Sequence, residues 1–140
     1  MATRESAPKN GVRAWFGYRD YEFAGPDGVS LVSLPYVREP PQGDSLHKVL
    51  FSSNELPGFA WGSGLAWSPC GRYVLFDYSP DRLNLTRETS VLDLVSASFC
   101  SLPQYLNASR LEFPNVFVST GQGEAVAYVF TGAERWQSAA

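Results

Sequence analysis

Ten prolines and twelve glycines are spread through the 140 residues, so few stretches are long enough for an amphipathic helix. Proline removes a backbone donor and fixes φ, and glycine makes an ordered backbone costly, so both punctuate a chain. Short apolar runs are left between the breaks. Aromatic residues make up 14% of the chain, and aromatic and β-branched side chains suit a pleated, half-buried surface. The expected fold class is all-β, mainly antiparallel, with little helix.

A chain of this length fits one domain and buries enough surface to fold without a metal or disulfide staple. The hydrophobic share of 44% and charged share of 18% are those of a globular protein. The expected organisation is a flexible polar N-terminus over 1–11, one β-rich domain over 12–132 and a tail over 133–140, polar apart from Trp136. The formal charge is -3 and the basic residues are scattered. Nucleic-acid binders carry a basic stripe, so nucleic acid is not the expected ligand, whereas a basic protein partner suits the acidic balance. The first residues lack the apolar core of a secretory leader, and no window has the apolar length of a membrane helix. The expected location is cytoplasmic, with Cys70 and Cys100 as reduced thiols.

Alternation predicts strands over 12–18, with Val12, Ala14, Phe16 and Tyr18 on one face, and around 21–23. Gly25-Pro26-Asp27-Gly28 predicts a turn, and 29–37 the returning strand, pushed toward an edge by Pro35. Residues 38–45 and 53–64 read as loops around a short strand at 47–52. Strand signals follow at 65–67, 72–78, 89–95 and 98–102. Apolar residues on both faces of 72–78 mark it as central. Pro103 and Pro114 bracket the one candidate helix, 104–110. A hairpin is expected from 115–119 and 125–131 around Gly121-Gln122-Gly123.

Leu65-Ala-Trp-Ser-Pro-Cys-Gly-Arg-Tyr-Val-Leu-Phe, followed by Ser90-Val-Leu-Asp-Leu, resembles a blade of the TolB-like and WD-type β-propeller repeats. Cys70 stands where those repeats usually carry Asp. The resemblance spans about residues 65–101 and implies a local β-meander. A full propeller needs at least ~4 blades of ~40 residues, more than this chain holds. The expected architecture is therefore propeller-like stacked β-meanders or a β-sandwich.

Catalytic machinery is sparse. His47 is the single histidine, so any Ser-His or Cys-His chemistry would have to use it, and its position reads as an exposed edge strand. One histidine and dispersed carboxylates make no metal site, and no cofactor is expected. Gly62-Ser63-Gly64 and Gly121-Gln122-Gly123 lack the Gly-Lys-Ser/Thr ending of a phosphate loop and read as turns. No catalytic residue is assigned, and the chain is not expected to be an enzyme. The candidate partner-binding residues are acidic groups beside aromatics: Asp20, Tyr21 and Glu22, then Asp77, Tyr78 and Asp81. Tyrosine anchors interfaces, and carboxylates steer a basic partner.

In format the chain resembles the small immunity proteins that bacteria keep against secreted toxins, such as those of type VI systems. That resemblance implies a non-catalytic inhibitor covering the active site of a basic toxin domain. A β-sheet scaffold that completes itself as a homo-oligomer and a small-ligand-binding protein stay open as alternatives.

Overall fold

The computed structural model describes residues 2–41 and 44–139. The chain is all-β, with no helix among these residues. Its strands are β1 (Thr3–Ser6), β2 (Tyr21–Ala24), β3 (Leu31–Leu34), β4 (Tyr36–Arg38), β5 (Leu46–His47), β6 (Leu50–Phe51), β7 (Asn54–Glu55) and β8 (Phe59–Trp61). The second half adds β9 (Ala66–Trp67), β10 (Tyr73–Ser79), β11 (Glu88–Asp93), β12 (Ser98–Ser101), β13 (Ala108–Glu112), β14 (Asn115–Thr120), β15 (Gly123–Val129) and β16 (Gln137–Ser138).

These strands form three sheets. The first has the order β1-β2-β3-β6-β7, the second β16-β12-β11-β10-β8-β5-β4, and the third β13-β14-β15. Among the described residues all pairings of these strands are antiparallel except β1 with β2. β10 organises the whole. One edge pairs along its length with β11, from Tyr73↔Asp93 to Tyr78↔Glu88. The other is shared between β9, at Val74 and Leu75, and β8, at Tyr78 and Ser79.

Period-two alternation sends the side chains of β10 into two cores. Val74, Phe76 and Tyr78 join Leu92, Phe99 and Trp67 against Phe23, Val32, Leu34 and Phe51 of the first sheet. Leu75 joins Ala66, Val91 and Cys100 against Leu111, Val116 and Phe130 of the third sheet region. The second sheet is thus the middle layer of three, which is why 72–78 carries apolar residues on both faces. Its turn is as expected. Gly71 has φ +82° and donates its N–H to Ser68 O at 2.8 Å, and its own carbonyl accepts from Trp67 Nε1 at 3.0 Å. The hairpin around Gly121–Gly123 also forms.

Several expectations are corrected. Residues 12–18 make no strand, only isolated bridges Val12↔Arg110 and Ala14↔Leu65. Residues 104–110 are not helical: Ala108 begins β13, because Ala108 and Leu111 are drawn into the second core. The expected loop 53–64 holds β7 and β8; within loop 38–45, Gly43 lies outside the described residues. The expected strands 29–37 and 47–52 each divide between two sheets, since Pro35 and the Lys48-Val49 step turn the chain from one layer to another. β1, in the N-terminal segment expected to be flexible, pairs in parallel with β2, and in the C-terminal tail β16 pairs with β12.

Candidate binding cleft

Residues 11–14 run as a strap between the second and third sheets. Arg13 N donates to Ser109 O at 2.8 Å, while Ala14 and Leu65 exchange backbone bonds at 3.1 and 3.2 Å. Strict alternation is not kept here: Arg13 points inward and is buried, whereas Trp15, Phe16 and Tyr18 are all exposed. Beneath the strap lies Asp77, fully buried on the face of β10 that carries Leu75. Arg13 Nη2 and Arg87 Nη2 each approach it at 2.8 Å, and Tyr105 OH donates to Oδ2 at 3.1 Å. Burial and the Asp77 charge push the Tyr105 phenol above its ordinary pKa. Burial opposes the charge on Arg87, but its bonds to Asp77 and Asp44 more than offset that and hold its pKa above the ordinary value.

The network supports a cleft of about 320 Å³ whose walls include Trp15, Phe16, Tyr18, Glu39, Asp44 and Ser63. Asp44 Oδ2 accepts from Arg87 Nη2 at 2.8 Å, so the guanidinium that holds Asp77 also holds a wall of the cleft. The Arg13 guanidinium lies 4.3 Å from the centre of the Trp15 ring, which also lines the cleft. Buried Ser63 pins the aromatic run: its Oγ accepts from Gly17 N at 2.8 Å and Phe16 N at 3.3 Å and donates to Gly17 O at 2.8 Å. A Cβ at Gly64 would lie 2.4 Å from the Trp15 ring, so glycine is what lets the indole seat there. The turn read from sequence at Gly62-Ser63-Gly64 is present, and Gly62 and Ser63 line the cleft.

The six residues singled out from sequence do not converge on one surface. Asp20 is exposed but accepts Tyr36 N at 2.7 Å, capping the start of β4. Tyr21 is buried in the first core, and Glu22 pairs with Arg4 on the neighbouring strand. Asp77 and Tyr78 are fully buried, and the Tyr78 hydroxyl accepts Gly58 N at 2.8 Å. Asp81 is exposed and caps its own loop by accepting Leu83 N and Asn84 N at 2.7 and 3.1 Å. The expected surface roles of Tyr21, Asp77 and Tyr78 are therefore corrected: each belongs to the interior.

His47 is also corrected, from exposed edge to fully buried. Its Nδ1 lies 3.0 Å from Leu34 O and its Nε2 2.8 Å from Ser45 Oγ. A carbonyl only accepts, so Nδ1 carries the proton and Nε2 accepts from the serine hydroxyl. Burial lowers the imidazole pKa, with Leu34 O and the Asp20 charge opposing in part.

Among the described residues no cluster of His, Cys, Asp and Glu has the grouping to hold a metal ion, and no helix is long and apolar enough to cross a membrane. The chain matches no protein-family model, no curated protein and no solved structure.

Proposed function

We propose that this chain is a non-catalytic protein-binding module that receives a basic segment of a partner protein in the cleft between Trp15, Tyr18, Glu39 and Asp44. The observation that carries the reading is the pairing of exposed aromatics with carboxylates on a pinned backbone: Trp15 is 52% and Tyr18 63% exposed, beside two acidic side chains. Aromatic rings and carboxylates together suit a guanidinium or ammonium group. Hydrogen bonds to Ser63 fix the run in advance, which lowers the ordering cost of binding. In this reading the chain is an immunity protein acting in the bacterial cytoplasm, and the partner is a basic toxin domain whose active site it covers.

The test is affinity capture from the native cytosol, wild type beside a Trp15→Ala/Tyr18→Ala variant. Support is a basic protein held one-to-one, inhibited by the wild type and released by the variant with an affinity loss of about thirtyfold or more. A partner retained equally by both proteins sinks the cleft. A partner whose activity is unaffected sinks the immunity role.

One observation favours a second, hydrolytic reading: Ser45 borders the cleft with its Oγ 2.8 Å from His47 Nε2, the spacing of a nucleophile and its base. Labelling of Ser45 by a fluorophosphonate, abolished in His47→Gln, supports that reading; an unlabelled chain removes it.

A further inference from the structure

The outer edge of the third sheet is built unlike the other sheet edges. β15 is seven residues long and pairs only with β14 among the described residues. All of its residues except Tyr128 are exposed, so the strand projects with both faces open. Unpaired strand edges are templates for another strand, and proteins protect them with short length, charge, proline or a covering segment. The other edges show these devices. β7 and β16 have two residues each. β4 has three, with Tyr36 N capped by Asp20. β1 carries Arg4 and Glu5, and β13 is flanked by the strap at Val12.

β15 reads Gly-Glu-Ala-Val-Ala-Tyr-Val, without lysine or proline. Its one charge, Glu124, is turned to its own sheet, where it accepts from Arg110 Nε and Ser109 Oγ, both at 3.0 Å. A register shift leaves Ala127 as an extra residue opposite β14, a bulge that is itself an edge-blunting feature but is confined to the last part of the strand, while 123–126 pair regularly with Phe117 to Thr120.

We infer that β15 is the docking edge for a second copy of this chain, the two β15 strands pairing antiparallel across a twofold axis near Val126. The strand is complementary to itself. About that axis Ala125 meets the second copy's Ala127, Glu124 meets its Tyr128, and no like charges face each other. Half-exposed Val126 meets its own copy across the axis and gains apolar cover. A twofold contact also closes: it uses the longest uncovered edge among the described residues of each copy and leaves none of that length to propagate. The inference is independent of the cleft reading.

Sedimentation velocity over a concentration series tests it, with circular dichroism as the check on folding. The wild type is expected to pass from one to two chain masses as concentration rises, and β15 amides are expected to gain hydrogen-exchange protection in step. Ala125→Lys/Ala127→Lys places like charges opposite each other whether the axis falls at 125 or 126, and so does Ala125→Glu/Ala127→Glu. Each variant alone is expected to self-associate about tenfold more weakly or worse, and an equimolar mixture to recover a mixed dimer. A wild type that stays at one chain mass throughout overturns the inference. So does a dimer that survives in the lysine variant, or a mixture that does not recover pairing.

Discussion

Arg13 Nη2 and Asp77 Oδ1 form an ion pair at 2.8 Å with 2% and 0% of their side chains exposed, and among the described residues neither atom has a hydrogen-bonding partner. The pair joins the strap to the central strand, so the position of the exposed Trp15 depends on a carboxylate in the interior.

Removing one member should therefore cost more than removing both. Asp77→Ala leaves the Arg13 charge buried and should destabilise by about 3–5 kcal/mol. Arg13→Met/Asp77→Leu should recover part of that loss. Urea unfolding of the single and double variants checks this; a double variant less stable than Asp77→Ala contradicts it.

His47 sets a pH dependence. Its folded pKa is below the ordinary value of 6.5, so the unfolded chain binds the proton more readily. Its contribution to stability is present above 6.5 and is lost as pH falls from there toward the depressed folded value. Asp93 also has a lowered pKa and loses its contribution in more acidic solution. The informative quantity is therefore the difference between wild type and His47→Gln, which should narrow as pH falls below 6.5. Thermal unfolding across that range measures it.

The two cysteines should separate by reactivity. Cys70 is exposed in its turn, whereas Cys100 is buried and its thiol is pushed up to about 12 by burial and the Glu134 charge. Thiolate is the reactive form. A disulfide reagent should label one thiol in the folded protein and both in denaturant, with Cys70 identified by mass spectrometry as the folded-state site.

Two glycine-to-alanine changes should diverge. At Gly58 a Cβ would sit 2.0 Å from the backbone oxygen of Ser79, and backbone does not yield. At Gly64 the obstacle is the Trp15 ring, a half-exposed side chain that can yield toward solvent at the cost of its contact with Arg13. Gly58→Ala should lose several kcal/mol, about the upper range for point changes. Gly64→Ala should keep most of its stability while the Trp15 fluorescence changes. Denaturation and emission spectra on the two variants decide it.

The central meander was legible because its signals are local: Pro69 and Gly71 make the turn, and Tyr73 to Phe76 alternate between two apolar faces. The candidate helix failed because proline spacing marks ends without saying what lies between them. Packing of Ala108 and Leu111 decided the backbone. Residues 12–18 failed because alternation does not say what the backbone pairs with: the segment meets its neighbours only in bridges at Val12 and Ala14, and Arg13 turns inward to Asp77. Asp77 itself carried an unread signal. A carboxylate in a strand covered on both faces has to be buried, and a buried carboxylate calls for a cation. Glu39 and Asp44 are brought to the cleft by tertiary structure, with no pattern in the sequence to mark them.

The run from β3 to β4 leaves the first sheet for the second at Pro35, and the run from β5 to β6 returns. The two layers are therefore stitched by the same stretch of chain in both directions. Releasing either layer disturbs the other, since the connecting residues are shared and both layers bury one apolar core. Slowly exchanging amides in Phe23, Val32, Phe76 and Leu92 should thus report a single opening event shared across both layers, and a protease should find no partly unfolded form that keeps one sheet and sheds the other.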